Sequence, residues 1–464
     1  MTNAIRKSPI MLLLCLMCTA AVSLPPAVAA EDKALASADN AFKAGDYAAA
    51  KPLYEQIFAE LGAINDTPEQ KATNQRVIMQ LGRCCSHLEQ WHDAGEWYRR
   101  VLTAYPEARE VCAEAHYEMG SAYAGEGMFN EAAKAFARVA AGFADNRSAC
   151  ARALLAMGKA QNRPRHYDEA IAALEQLIRD YPDNKAICRE ATQDFARALD
   201  SALRIKDAMR VIDEALADNG YVGSERGDLL MVKAEIELRA SRYSDCKSTC
   251  QKVLADHAGD STLVARAKWL TIQVYCEDGL HADEALVLIN EMRGHPYSQT
   301  KMRQSQLDLW LGFCCWLKGE NAKAEEWFTK VADNCADLPM LRGEAFYHRA
   351  VLRISDLDKL AEAQQDIELI QPTYLRHLAQ GDLYFRNGDY AKAAAEYELV
   401  IQNLPLNRKP NTEPLKAFRL MNRVPNTEPV KAFSHMAECY RRLGDEAKAE
   451  DALARQAKYR AQNE

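Results

Sequence analysis

The chain repeats itself at a spacing of about 38 residues, and this period restricts the fold more than any other feature. A small residue inside an apolar-periodic stretch recurs and marks each unit. The steps between successive landmarks are 44, 38, 38, 38, 38, 39, 39, 39, 30 and 56 residues, so the middle of the array is regular and its ends are not. The landmarks are Ala38, Gly82, Gly120, Gly158, Ala196, Ala234, Gln273, Gly312, Val351, Gly381 and Ala437.

Each unit has the pattern of two helices joined by a turn. Apolar residues recur at intervals of three and four, which is typical of an amphipathic helix. Turn sequences such as Gly125-Glu126-Gly127 and Asn387-Gly388-Asp389 divide each unit in two. One helix pair cannot bury its own apolar faces, so each pair must stack on its neighbours. The sequence therefore predicts an all-α repeat array.

The order of residues within a unit resembles the tetratricopeptide repeat: a small residue, an aromatic, a glycine turn, then aromatic, alanine, aromatic and proline. The clearest unit carries Gly381, Tyr384, Gly388, Tyr390, Ala393, Tyr397 and Pro405. The resemblance implies a right-handed superhelical solenoid of about eleven helix–turn–helix repeats. The repeat style, longer than the usual 34 residues, resembles bacterial Tol–Pal-associated and outer-membrane-assembly proteins. The lipid-anchor cysteine of the latter is missing.

The first thirty residues have the pattern of a signal peptide. Arg6 and Lys7 precede an apolar stretch over 11–22, and small residues around Ala29 suit signal peptidase. We expect cleavage near residue 30 and release to the periplasm or the exterior, with an uncleaved anchor as the alternative. Cleavage leaves 56 basic against 66 acidic residues, a net charge of −10, which argues against a nucleic-acid partner. No later stretch is long and apolar enough for a membrane span.

A local duplication interrupts the array near its end. Residues 407–418 reappear as 422–433, with ten of twelve positions identical. Fifteen residues cannot hold a helix pair, and two prolines per copy oppose one continuous helix. The predicted organisation is a signal peptide over 1–30, repeats over 31–405, a Pro-containing loop over 406–433, and a last repeat with a capping helix over 434–464. The loop is either a lengthened connection or a contact for a partner.

The cysteines allow three interpretations. Twelve remain after cleavage, and Cys112, Cys150 and Cys188 occupy one equivalent position in three units. Thiols suit core sites in place of small hydrophobes, so packing is favoured over one or two disulfides or a metal or redox site. Cys84 and Cys314 are the expected exceptions to packing.

No catalytic motif is present, so the chain is predicted not to be an enzyme and to need no cofactor or metal. In a stacked array the first helices line the concave inner face. Residues one and five places after a landmark should point there and could bind an acidic or extended protein segment. The alternative is solvated charges beside acidic neighbours such as Asp200 and Glu235. The predicted partner-binding residues are Arg83, His87, Lys159, Arg163, Arg197, Arg239 and Arg386.

These observations favour an exported scaffold or adaptor that binds protein or peptide partners in the cell envelope. A structural subunit of an envelope machine, in outer-membrane assembly or in cell-wall and Tol–Pal coordination, is the alternative. A cysteine-based redox or metal carrier is the third hypothesis. The period itself does not distinguish between the first two.

Overall fold

The computed structural model describes residues 26–61, 67–163, 166–218, 220–371, 373–403 and 427–463. Throughout these ranges the regular secondary structure is helical. The helices are α1 (Pro26–Lys43), α2 (Tyr47–Leu61), α3 (Pro68–His87), α4 (Trp91–Ala104), α5 (Arg109–Gly125), α6 (Phe129–Gly142), α7 (Arg147–Gln161), α8 (Tyr167–Asp180), α9 (Lys185–Ser201), α10 (Ile205–Ala217), α11 (Gly223–Arg239), α12 (Tyr243–Asp256), α13 (Ser261–Asp278), α14 (Ala282–Arg293), α15 (Lys301–Leu317), α16 (Asn321–Asn334), α17 (Pro339–Ser355), α18 (Leu360–Leu369), α19 (Thr373–Arg386), α20 (Tyr390–Asn403), α21 (Thr427–Arg442) and α22 (Glu446–Asn463).

The helices form consecutive pairs, in which the odd-numbered helix comes first and the even-numbered helix second. The chain divides into two compact units, residues 1–153 and 154–464. Within each unit, helices that follow one another in the chain pack against one another, and several first helices also contact the first helix of the next pair. The predicted all-helical array of paired helices is therefore confirmed, with eleven pairs in the described residues.

In five pairs, a glycine landmark on the first helix contacts a large side chain sixteen residues later on the second helix. A Cβ atom added at Gly120 on α5 would lie 2.7 Å from the ring of Phe136 on α6. The bare glycine therefore lets the second helix come close enough for its ring to lie on the first helix backbone. Five glycine landmarks make this contact: Gly82 with Tyr98, Gly120 with Phe136, Gly158 with Leu174, Gly312 with Phe328, and Gly381 with Tyr397.

We expect Gly120→Ala to lower the free energy of unfolding by about 1–3 kcal/mol, because the methyl group overlaps Phe136. The chain suggests the compensating change, since Ala196 is followed sixteen residues later by the smaller Ile212, and both are fully buried. Gly120→Ala combined with Phe136→Ile should cost less than the sum of the two single changes, by about 0.5–3 kcal/mol. Urea unfolding of the four proteins measures this coupling. Additive costs would contradict the contact.

The turns inside the pairs confirm the period independently of the side chains. In ten of the eleven pairs one turn residue has a positive φ, the left-handed region that favours glycine. Six of these residues are glycine, as the turn sequences predict, and four are not. They are Gly45, Glu89, Gly127, Leu203, Ser241, Gly279, Gly319, Asp358, Gly388 and Gly444.

Leu203→Gly should stabilise the protein. Leu203 has φ 63° and a side chain that is 44% exposed, so it carries left-handed strain with little burial in return. Glycine relieves about 1–2 kcal/mol of left-handed backbone strain. It also costs about 0.5–1 kcal/mol, because its more flexible backbone loses more entropy on folding. The free energy of unfolding should therefore rise by roughly 0.5–1 kcal/mol. Gly127→Ala, at φ 82° with open space around the added Cβ, is the matched control and should destabilise. Thermal unfolding followed by circular dichroism checks both. A lower midpoint for Leu203→Gly would contradict the strain argument.

A helix begins inside the stretch predicted as the Pro-containing loop, residues 406–433. Residues 404–426 lie outside the described residues, as do residues 1–25 of the predicted signal peptide. Helix α21 already begins at Thr427, so the predicted loop end at residue 433 falls inside it. Pro429 lies in the first turn of α21, where its missing N–H costs no helical hydrogen bond. Ala432 and Phe433 are buried, so this part of the helix packs within the core of the array.

Burial of the cysteines favours the packing interpretation for most of them. All twelve are free thiols, and eleven are buried while Cys188 is half-buried. Cys84 and Cys314, the expected exceptions to packing, are also fully buried. The equivalent thiols of Cys112, Cys150 and Cys188 each donate a hydrogen bond, 3.2 Å long, to the carbonyl oxygen of the residue seven places earlier. That residue caps the preceding second helix, so the row of thiols satisfies helix-end carbonyls.

Candidate functional site

The predicted basic residues lie on the first helices or directly after them, but they are not collected into one basic groove. In the first unit, Arg83 on α3 donates from Nε to Glu118 and from Nη2 to Glu114 on α5, both at 3.0 Å. Glu114 also accepts from Arg152 on α7 at 2.8 Å. Arg83 and Glu114 are half-buried, so these ion pairs join neighbouring first helices across the face on which partner binding was predicted.

The second unit repeats this arrangement. Lys159 pairs with Glu190 and lies 3.8 Å from Asp194 on α9. Arg197 lies 3.7 Å from the same Asp194, whose pKa burial nevertheless raises. Arg239 pairs with the buried Asp200, a residue on the neighbouring first helix. Each of these bases therefore lies against a carboxylate of the array itself.

The other predicted residues have individual roles. His87 stacks on Tyr47 with ring centroids 4.0 Å apart. Arg163 donates to the side-chain oxygen of Gln161 at 3.2 Å. Arg386 lies 3.7 Å from Asp358. Carboxylates beside most of the predicted bases favour the alternative interpretation, in which these charges serve the array, and partner binding by them stays a prediction.

Arg83→Glu should lower the free energy of unfolding by about 1–2 kcal/mol. It would place a third carboxylate beside Glu114 and Glu118, so like charges would meet at a half-buried position. A second reversal, Glu118→Arg, should recover part of the loss by restoring an opposite-charge pair. Urea unfolding at low and at high salt measures both effects. High salt should reduce the difference in the free energy of unfolding between each variant and the wild-type protein, because salt screens the charges. Unchanged stability of Arg83→Glu would remove the structural role of this pair.

The first-helix face changes from ionic to aromatic on α13 and α15. Trp269 on α13 and Trp310 on α15 lie with ring centroids 4.8 Å apart. Phe313 follows one turn after Trp310, and its ring lies 5.9 Å from that of Trp316. We call Trp269, Trp310, Phe313 and Trp316 the aromatic row. Trp310 is buried at 9% exposure and the other three are half-buried, so Trp269, Phe313 and Trp316 keep part of their surface exposed.

The position of Phe313 in its unit explains the change. It directly follows landmark Gly312, as Arg83 follows Gly82 and Lys159 follows Gly158. Phe313 therefore occupies the position where earlier units place a base of the ion pairs. A search for charge at this position in each unit does not find this site. The signal that could have found it is an aromatic residue one place after a landmark.

Two neighbouring polar side chains contact rings of the aromatic row. The Trp316 indole N–H donates to Asp356 Oδ2 at 2.9 Å. The His348 ring lies 5.6 Å from that of Phe313, and removal from water lowers its pKa to about 4. The imidazole is therefore neutral at ordinary pH. Rigid rings with one polar edge can hold apolar or aromatic side chains of another chain.

A cavity in the first unit is a second, smaller candidate. Its volume is about 430 Å³, toward the lower end of the range of ligand sites. The buried Asn74 donates to the Tyr105 hydroxyl at 2.9 Å in its wall, and the Arg100 guanidinium lies 4.4 Å from the ring of Trp97. The cavity is lined by Phe58, Asn74, Ile78, Glu96, Arg99, Arg100, Thr103, Ala104 and Tyr105. It could accept one apolar side chain.

Other kinds of site find no support in the described ranges. No group of three or more His, Cys, Asp or Glu side chains there could hold a metal ion. Among the helices with described residues, none combines the length and apolar character needed to cross a membrane.

Comparison with known proteins agrees with the architecture. Family models described as tetratricopeptide repeats match residues 35–109 and 152–184. The apo crystal structure of RapI is 11% identical, with a TM-score of 0.52, and the match covers 80% of this chain and 97% of RapI. This shows a common fold. No curated protein matches the sequence.

Two further solved structures are similar at lower TM-scores. Cut9–Hcn1, an APC/C hetero-tetramer, is 14% identical with a TM-score of 0.42, covering 92% of this chain and 81% of that one. A tetratricopeptide repeat protein from Parabacteroides merdae ATCC 43184 is 14% identical with a TM-score of 0.36, covering 63% and 93%. The matching repeat models, over residues 35–109 and 152–184, show that the chain contains tetratricopeptide repeats. Arrays of this class present extended binding surfaces.

Proposed function

We propose that the chain is an exported scaffold that binds an extended, apolar segment of a partner protein on its aromatic row. The observation that carries this proposal is the surface of Trp269, Trp310, Phe313 and Trp316 on two successive first helices. Aromatic side chains that present ring faces beside polar rims are the usual anchors of protein interfaces.

The neighbouring surface supports an apolar partner more than an acidic one. The bases that could attract an acidic segment already lie against carboxylates, for example Lys159 beside Glu190 and Asp194. Desolvating such a pair to bind a new carboxylate would cost more than it returns. Burying ring surface costs little, because apolar area leaves water at a gain of roughly 25 cal/mol per Å².

Export is part of the proposal and rests on the first thirty residues. A positive segment, an apolar stretch and small residues follow one another in the order of a cleavable signal. A permanent subunit of an envelope machine is the second candidate, because the same rings could be covered by a fixed neighbour. The two candidate functions differ in how readily the partner dissociates. An adaptor releases its partner on dilution, whereas a permanent subunit does not.

Affinity capture from the native envelope tests the proposal. Trp269→Ala with Phe313→Ala should reduce recovery of the partner at least about tenfold, since anchor residues contribute about 1–2 kcal/mol or more each. Val287→Ala with Met302→Ala is the matched control, because both are exposed apolar residues outside the aromatic row. It should capture normally. A tag at the C-terminus allows the mature N-terminus to be sequenced in the same sample, with a start near residue 31 expected.

Three outcomes of this capture are informative. Equal losses of captured partner in the aromatic-row variant and in the control variant would indicate non-specific apolar binding. They would contradict specific binding on the aromatic row. A loss on changing Arg83, Lys159 and Arg163 together to Glu, with helical circular dichroism intact and the row variant unaffected, would favour the basic residues instead. An unprocessed N-terminus starting at Met1 would contradict cleavage.

A further inference from the structure

A pair of thiols from two different helices meets inside the apolar core beneath the aromatic row. Cys276 lies on α13 and Cys314 on α15, and their Sγ atoms are 4.0 Å apart. Cys276 is 4% exposed and Cys314 is fully buried. They lie in one apolar cluster with Ile289, Leu307 and Trp310.

We propose that Cys276 and Cys314 are a disulfide-forming pair that links the first helices of two successive repeats. An S–S bond is about 2.05 Å long, so the two sulfurs together must approach by roughly 2 Å. Rotation about χ1 moves a cysteine sulfur between staggered positions and can supply such a shift. The link would join first helices that already pack together.

The other close thiols of the chain do not have this geometry. Cys246 and Cys250 interact by a side-chain hydrogen bond, but they lie one turn apart on α12. Cβ atoms at that spacing on a helix are about 5–6 Å apart, whereas a disulfide needs roughly 3.5–4.5 Å. Cys315 adjoins Cys314 in sequence, yet the contact with Cys276 is made by Cys314.

The surroundings indicate which thiol reacts first. The hydrogen bond with Cys276 and the positive charge of Lys318 lower the pKa of Cys314 against the opposing effect of burial. The hydrogen bond with Cys314 and burial raise the pKa of Cys276. Cys314 is therefore the better thiolate, and the thiolate is the attacking species in exchange.

The oxidant is a disulfide, either on a thiol–disulfide oxidoreductase or a small one such as oxidised glutathione. The Cys314 thiolate attacks one of its sulfurs, forming a mixed disulfide and releasing the first thiolate. Cys276 then gives up its proton and attacks Cys314 Sγ, releasing the second. Two protein thiols become one disulfide and the oxidant becomes two thiols. Because both thiols are buried, we expect the exchange as the chain folds.

Refolding the full chain in a buffer of reduced and oxidised glutathione tests the pair. After alkylation and trypsin, peptides 269–293 and 304–318 should be recovered joined, and reduction should separate them. The joined species should disappear in Cys314→Ala and persist in Cys315→Ala, the matched control on the adjacent residue. The oxidised wild-type protein should also unfold at a higher urea concentration than the reduced protein, as expected for a cross-link closing this loop.

Two results would overturn the proposal. One is that both peptides remain separately alkylated although the protein has refolded with its helical circular dichroism. The other is that Cys315→Ala abolishes the link and Cys314→Ala keeps it. If Cys314→Ala does not fold, Cys276→Ala takes its place and must also lose the joined species. None of these readouts depends on a binding partner, so the proposed scaffold function stands or fails separately.

Discussion

The close contact between a small landmark residue and a large side chain sixteen residues later is the interaction on which the array depends. At Gly120 the ring of Phe136 lies so close that no Cβ atom fits without displacement. The contact sets how near the two helices of a pair approach, and so which faces remain for stacking on the next pair. The helix faces that are left for stacking, and the surface that is left for a partner, therefore depend on this short distance between the two helices of a pair.

Ion pairs between successive first helices are the second layer of this arrangement. Single exposed pairs contribute little, about 0–1 kcal/mol, but here half-buried members share partners, as when Glu114 accepts from both Arg83 and Arg152. Such sharing favours one register between neighbouring helices. The bases on the first-helix face are therefore already paired with carboxylates of the array. The stretch around Phe313, where aromatic residues replace the ion pairs, is the better candidate for partner binding.

Most of the fold could be predicted from the sequence because its determinants are local and repeated. The Gly82 to Gly158 spacing gave the helix pairs, and turn glycines such as Gly127 gave their reversals. Positions with non-glycine turns, such as Leu203, could not be recognised, because a leucine carries no sequence signal for a left-handed backbone. Helix α21 begins inside the predicted 406–433 loop, because Pro429 is compatible with the first turn of a helix.

The site was harder to predict for a physical reason. The positions of Arg83, Lys159 and Arg239 on first helices were correctly inferred, yet their carboxylate partners come from neighbouring helices and cannot be read from one helix. Likewise, the periodic row of Cys112, Cys150 and Cys188 indicated packing, but not the hydrogen bonds that these thiols donate to helix-end carbonyls. The meeting of Cys276 and Cys314 is equally invisible until two repeats are stacked.

The central claim is that partner binding falls on the aromatic row and that the ion-paired first helices serve the array. Hydrogen–deuterium exchange of the chain with and without its captured partner tests this most directly, because protection is read for each peptide along the sequence. Increased protection is expected in α13 and α15, around Trp269 and Phe313, with little change in α3, α5 and α9. Protection confined to α3, α5 and α9, with α13 and α15 unchanged, would contradict it.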